Sequence, residues 1–268
     1  MSVQLGAAVA KHLFTEIPPT AMVWLRLLTS AVVLLVLVRP RVRGRSRPDW
    51  GLVLAFGLAL MSMNWLIYLS FARIPLGVAV AMEFLGPLVL AVVMSRRARD
   101  LAWIALAGLG VALLGVERAE LDPWGVGFAL LAGVAWATYI LLSARTGRRW
   151  EGLTGLALAS GVGAVVLAAP AIAAGGDALL DPRILLLGLL VGVLSSVIPY
   201  SCELMALRVL PERVFSVLMS LEPAAAALAA AIVLQEFLTP WQLVAVASVV
   251  AASVGATRSA APVREVHP

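Results

Sequence analysis

Long apolar runs alternate with short polar connections along most of this 268-residue chain. Bounded by charges, prolines and glycines, the runs fall at about 2–14, 20–38, 51–71, 75–94, 101–116, 124–143, 153–174, 184–207, 214–234 and 241–256. Most come close to the ~20 apolar residues that carry a helix across a ~30 Å hydrocarbon core. The pattern therefore predicts an all-α membrane protein with ten transmembrane helices. The first run departs from it, because thirteen residues in a helix cover only about 20 Å.

Composition agrees: 62% of residues are hydrophobic and 13% charged, against roughly half and a quarter in ordinary soluble domains. The charges themselves are ordered. Connections 39–50, 95–100, 144–151 and 208–213, with the tail from Thr257, hold fifteen of the twenty Lys and Arg residues. The alternate connections hold only Arg73, Arg118 and Arg183. Basic residues are retained at the cytoplasmic face, so the alternation predicts that both termini are cytoplasmic. The same placement argues against nucleic acid as the partner of a chain with net charge +5. Cys202, the lone cysteine, rules out a disulfide framework. The start, "MSVQLGAAVAKHLF", lacks the basic n-region of a secretory signal.

Two segments repeat. "PLGVAVAMEFLGP" and "PERVFSVLMSLEP" set Pro75 and Pro87 against Pro211 and Pro223, both pairs 136 residues apart. Chance is the competing account, but five runs per half and the matched charge alternation favour duplication. Five is odd, so the halves are inverted in the membrane, a plan that puts a transporter's site near the midplane between them. The reading divides the chain into a first repeat over 1–118, a second over 124–256 and a cytoplasmic tail over 257–268. The same offset puts the start of the first helix about twelve residues before Met1, so the N-terminal part of that helix is expected to be missing and the natural protein to begin upstream.

Seven titratable or strongly polar side chains within the runs matter most: Lys11, His12, Arg26, Asn64, Glu83, Glu203 and Glu222. An ionised group at the bilayer centre costs at least about 2.5–3.5 kcal/mol on insertion scales, so each needs a cavity, a partner or neutralisation. Glu83 lies four residues before Pro87, and Glu222 lies next to Pro223. Under the offset Glu222 matches Gly86, about one helical turn from Glu83, so both carboxylates use one helix face. A mid-span proline frees a backbone carbonyl, which is tolerated only where protein, water or substrate answers it. Acid plus proline in both halves thus predicts a polar cavity between them. Burial disfavours the charged form of a carboxyl, the behaviour that proton coupling requires. A structural ion pair of either glutamate with Arg26 or Lys11 is the competing reading.

In "SSVIPYSCELMAL", Glu203 follows Pro199 and Tyr200 and reads either as part of a broken, cavity-facing helix or as a snorkelling acid. Asn64 and Tyr68 form an i, i+4 pair that can offer hydrogen bonds to one ligand. Trp65 and Trp136 are candidates for the cavity wall, although lipid- and core-facing aromatics are commoner. Lys11 and His12 read as a snorkelling pair at the outer end of the first span. Gly188 and Gly192 are a weak packing signal.

No nucleophile elbow, metal-ligand spacing or phosphate-binding glycine loop is present, so no catalytic residue, cofactor or metal is expected. A membrane-embedded enzyme using Glu83 or Glu222 as general base, and a channel, stand as alternatives to an alternating-access carrier. "MNWLIYLSFARIPLGVAVAMEFLGPLVLAVVMSRR" and "IPYSCELMALRVLPERVFSVLMSLEPAAAALAAAIVLQEFLTPWQL" resemble the two EamA repeats of the drug/metabolite transporter superfamily. Within it, "PLGVAVAMEFLGPL" and "LMSLEPAAAAL" are most similar to bacterial threonine/homoserine exporters. The resemblance covers essentially the whole chain. It implies a bacterial inner-membrane exporter of small amino acids driven by proton antiport, with substrate, protons and the lipid bilayer as partners. A homodimer is compatible with it, and export of other metabolites or drugs on the same fold is the runner-up. For a zwitterion, Glu83 or Glu222 would take the ammonium, and Arg26 or a broken-helix N-terminus the carboxylate.

Overall fold

The computed structural model of the protein describes residues 2–40, 42–95, 100–113, 121–199 and 218–259, and no strand occurs among them. In chain order the helices are α1 (Ser2–His12), α2 (Pro19–Val38), α3 (Arg47–Phe71), α4 (Leu76–Glu83), α5 (Leu85–Ser95) and α6 (Leu101–Leu113). Then come α7 (Pro123–Gly147), α8 (Thr154–Gly175), α9 (Pro182–Gly192), α10 (Glu222–Ala229) and α11 (Pro240–Ser259). A single π-helical turn continues α9 over Val193–Val197, and another continues α10 over Ala230–Leu234.

Among the described residues, six helical stretches are long and apolar enough to cross a membrane, one of them Leu76–Met94, which joins α4 and α5. Leu101–Ala112, Pro182–Val197 and Glu222–Leu234 are apolar but shorter. The expected run 75–94 is interrupted just after Glu83, three residues ahead of the proline expected to break it. Residues 200–217, which hold Tyr200, Cys202, Glu203 and Pro211, lie outside the described residues.

Local chemistry starts the helices where the sequence changes character. Pro19, Pro123 and Pro182 open α2, α7 and α9, where a missing N–H costs nothing because first-turn donors have no intrahelical partner. Ser46 caps α3 reciprocally with Asp49. Asp122 caps α7 by accepting from the Trp124 N–H. That bond, reinforced by Arg73 at 3.1 Å, holds the Asp122 carboxyl below the usual carboxylate range.

The helices pack as α3 along α7, α2 along α8, and α6 against α11, while α4 lies between α7 and α10. The connections gather at two ends. One end is tied by ion pairs: Lys11–Glu236 at 2.6 Å, Arg183–Glu16 at 2.6 Å and Arg73–Asp122 at 3.1 Å. The other carries Arg45, Arg148 and Arg149; there Arg149 pairs with Asp49 at 3.0 Å and Arg45 lies over the Trp150 ring. The two described arginines of the sparse set, Arg73 and Arg183, share the first end, and the described arginines of the rich loops 39–50 and 144–151 share the second.

Candidate functional site

A cavity of about 490 Å³ lies in the middle of the bundle. Arg26, Asn64, Tyr68, Glu83, Glu222, Pro87 and Pro199 all come together on its wall. Of the remaining sequence candidates, Pro223 is buried in the first turn of α10, and Tyr200 and Glu203 lie outside the described residues. Trp136 lines the cavity and meets Phe84 edge-on at 5.0 Å, whereas Trp65 donates its indole N–H to Thr20 Oγ1. The lining runs from Tyr68 and Phe71 in α3 to Ala91, Ala256 and Thr257 in α5 and α11. It therefore extends toward the end opposite the Lys11–Glu236 pair.

Arg26 sits in α2, 6% exposed, and is held by three groups. Its Nη2 donates to the Ser195 carbonyl at 2.9 Å, its Nε to Ser196 Oγ at 3.2 Å, and its Nη1 to Tyr68 Oη at 3.3 Å. The sequence explains the geometry in two steps. Gly188 and Gly192, one turn apart on α9, face Leu25 and Thr29, one turn apart on α2 and flanking Arg26. A Cβ on Gly192 would lie 2.6 Å from that of Thr29, so only glycine allows this approach. The π turn then follows directly and carries Ser195 and Ser196 onto the guanidinium. Pro199 has no N–H to return to the Ser195 carbonyl four residues back, and Arg26 answers it instead. The Gly188–Gly192 spacing, weak as a sequence signal, is thus what sets Arg26 against the π turn.

Glu83, 8% exposed, is the last residue of α4. Its carbonyl is the one that Pro87 deprives of a donor, and it faces α7 at Gly133, where a Cβ would lie 2.6 Å away. Gly86 makes the reciprocal contact, its Cβ position falling 2.0 Å from the Gly133 carbonyl oxygen. Glu222 instead opens α10, with Pro223 beside it where the absent N–H is harmless. The two acids reach one cavity because α4 packs on α10, closely enough that a Cβ on Gly77 would stand 3.0 Å from Ala227 Cα. Glu83 lies within electrostatic reach of both Glu222 and Arg26.

Lys11 does not snorkel. Its Nζ pairs with Glu236 Oε1 at 2.6 Å and donates to the Ile74 carbonyl at 2.9 Å, while Glu236 Oε2 accepts from the Leu76 N–H. The ion pair expected for Lys11 therefore forms with Glu236 rather than with Glu83 or Glu222; Glu236 lies just past an apolar run, where burial does not mark it. Sequence reasoning also passed over Gln4, Ser195 and Ser196, neutral polar residues with no charge to mark them.

A membrane-spanning helical bundle around a central cavity with basic and acidic groups on facing walls has the construction of a transporter. The chain belongs to the EamA-like transporter family, which it matches over residues 3–117 and again over 123–258. It is 42% identical over 260 residues to the threonine/homoserine exporter RhtA of Salmonella typhimurium, covering 96% of this chain and 88% of that one. With the exporter of the same name from Escherichia coli K12 it shares 41% identity over the same fractions. A crystal structure of a protein only 18% identical aligns over 97% of this chain and 98% of its own with a TM-score of 0.52, a likeness of fold alone. The family and the two named exporters are transporters, so the membrane-embedded enzyme falls away.

Proposed function

We propose that this protein exports small amino acids such as threonine and homoserine across the bacterial inner membrane by alternating access, in exchange for protons. One observation carries the reading: a single cavity sets a hydrogen-bonded guanidinium, Arg26, within electrostatic reach of a carboxyl, Glu83, that also feels Glu222. A zwitterion needs both signs. Arg26 takes its carboxylate, Glu83 and Glu222 its ammonium, and protonation of one glutamate competes with the ammonium and releases it. The relatives named as threonine/homoserine exporters supply the substrate class.

In this reading the chain forms ten spans in two inverted repeats, 1–118 and 124–256, with both termini cytoplasmic, in keeping with the two successive family matches. The cavity then opens to the cytoplasm, and the Lys11–Glu236 pair closes the outer end until the transport cycle turns. Efflux driven by a proton gradient, measured in proteoliposomes with Glu83→Gln and Glu222→Gln variants, tests the coupling. At least one variant is expected to lose gradient-driven efflux; undiminished efflux in both would rule it out.

A further inference from the structure

At the end opposite the Lys11–Glu236 pair, the charges of the connections do not balance. Residues 39–50 and 144–151 hold eight arginines against two acids, Asp49 and Glu151. Asp49 is already engaged, its Oδ1 accepting from Arg149 at 3.0 Å and its Oδ2 from Ser46. Arg45 donates to the Arg149 carbonyl and lies over the Trp150 ring. Arg145 and Arg148, both exposed, have no side-chain hydrogen bond or ion pair among the described residues. At the other end Lys11, Arg73 and Arg183 each hold a carboxylate.

The unbalanced arginines share a recess. It measures about 490 Å³, lies between the start of α3 and the end of α7, and is lined by Pro48, Leu52, Arg145, Arg148 and Arg149. Spacings of three and four residues raise the three guanidiniums from one face of α7. That face continues through Leu141, Thr138 and Val134, with Leu141 40% and Val134 63% exposed. From Val134 to Arg145 the helix covers about 16 Å, close to half of a ~30 Å hydrocarbon core. On the Pro48–Leu52 face of α3, Gly51 and Ala55 are exposed, and nothing lies within 4 Å of a Cβ at Gly51. Below the arginines the surface is therefore apolar, or small, and uncovered. Trp50, 39% exposed and edge-on to Trp150 at 5.7 Å, sits at the level of the recess, as indole rings do where hydrocarbon meets headgroups.

We propose that this recess binds the headgroup of an anionic phospholipid, Arg145, Arg148 and Arg149 donating to its phosphate while an acyl chain lies along Leu141 and Val134. Charge and shape select the ligand together. Guanidinium forks match phosphate oxygens, and Arg145 and Arg148 have no carboxylate to answer first. A free phosphate would engage the arginines and leave the apolar strip bare, whereas a phospholipid covers both. A zwitterionic lipid brings an ammonium of its own into a site that already carries excess positive charge. Basic pockets between transmembrane helices take anionic headgroups for these reasons. The bound lipid would also brace α3, from the first family-matched segment, against α7, from the second. The inference goes beyond the export reading and requires no transported substrate.

The test titrates phosphatidylglycerol and phosphatidylcholine onto the purified full chain in detergent, with bound copies counted by native mass spectrometry and melting followed in parallel. The wild type is expected to hold one phosphatidylglycerol, to prefer it over phosphatidylcholine by on the order of tenfold or more, and to melt higher with it. Arg145→Gln with Arg148→Gln is expected to weaken phosphatidylglycerol binding on the order of thirtyfold, the effect of two arginines beside a lipid anion. Arg43→Gln with Arg47→Gln removes the same charge outside the recess and is expected to change binding by no more than about threefold. Arg148→Gln alone serves if the double variant does not fold. Equal losses in the two double variants would mean diffuse attraction to basic loops, and equal affinity for the two lipids would mean that charge does not select; either overturns the proposal. Glycerol phosphate, the headgroup anion without acyl chains, is the remaining arm. If it binds as tightly as phosphatidylglycerol, the recess takes a free anion and the lipid assignment falls. Each of these failures leaves amino-acid export standing.

Discussion

The two mid-helix prolines on the cavity wall, Pro87 and Pro199, each free one backbone carbonyl, and the bundle answers them differently. The Ser195 carbonyl freed by Pro199 receives a guanidinium from another helix. The Glu83 carbonyl freed by Pro87 meets the close approach of Gly133. Proline decides that a polar group is exposed; the neighbouring helix decides what becomes of it. Beside α2 the freed group fixes a cation in place. Beside α7 it lets two backbones touch, and the Glu83 carboxyl stays directed at the cavity.

The largest effect should come from crowding the α7 side. Gly86→Val puts a branched side chain where even a Cβ lies 2.0 Å from the Gly133 carbonyl oxygen, and backbone cannot move aside as a flexible side chain can. Overpacking costs about 1–3 kcal/mol in typical cores, and this site belongs at or above the top of that range. The variant is expected to melt well below wild type in detergent. Gly161→Val, at a position with nothing within 4 Å of its Cβ, is expected to melt close to wild type and serves as control. Equal melting of the two variants would show that α7 does not press on the break.

A smaller, functional effect separates the prolines themselves. Pro199→Ala restores an N–H that can reclaim the Ser195 carbonyl from Arg26. A hydrogen bond to a charged group contributes about 1.5–3 kcal/mol, so threonine affinity is expected to fall on the order of tenfold while the melting temperature holds or rises. Pro87→Ala returns a donor to the Glu83 carbonyl, which holds no cation, and affinity is expected to stay within about twofold. Equal losses in the two variants, read by isothermal titration or by scintillation proximity, would erase the distinction between the breaks.

Much of this was legible in the chain. Charged and amide side chains stranded in apolar runs are costly, so Arg26, Asn64 and Glu83 announced themselves, and the prolines beside the acids pointed to a broken, hydrated centre. Arg26, Asn64, Glu83 and Pro87 all reach one cavity. What was not legible was partnership. Lys11 needed a counter-charge, but nothing in the composition of its surroundings singles out Glu236, 225 residues away along the chain. Gln4, Ser195 and Ser196 cost little to bury if bonded, so their presence in apolar runs carries no signal until the fold shows where they stand. Gly188 and Gly192 were visible only as a spacing, because glycine pairs serve many contacts and the partner, here Leu25 and Thr29, is set by tertiary packing.

The smallest effect tests how finely the α2 side is tuned. Ser196 Oγ accepts from Arg26 Nε at 3.2 Å, a long bond beside the 2.9 Å bond to the Ser195 carbonyl. Ser196→Ala removes that acceptor and leaves the carbonyl and Tyr68 in place, so the guanidinium keeps its position but gains freedom to turn. A typical net hydrogen bond contributes about 0.5–1.5 kcal/mol, which predicts a threonine affinity weakened by roughly two- to tenfold with the melting temperature little changed. Arg26→Ala, by contrast, should abolish measurable binding. If Ser196→Ala proved as damaging as Arg26→Ala, the hydroxyl itself would have to touch substrate. If it had no effect, the carbonyl freed by Pro199 would suffice to hold the cation, and the difference between the two breaks would rest on that single carbonyl.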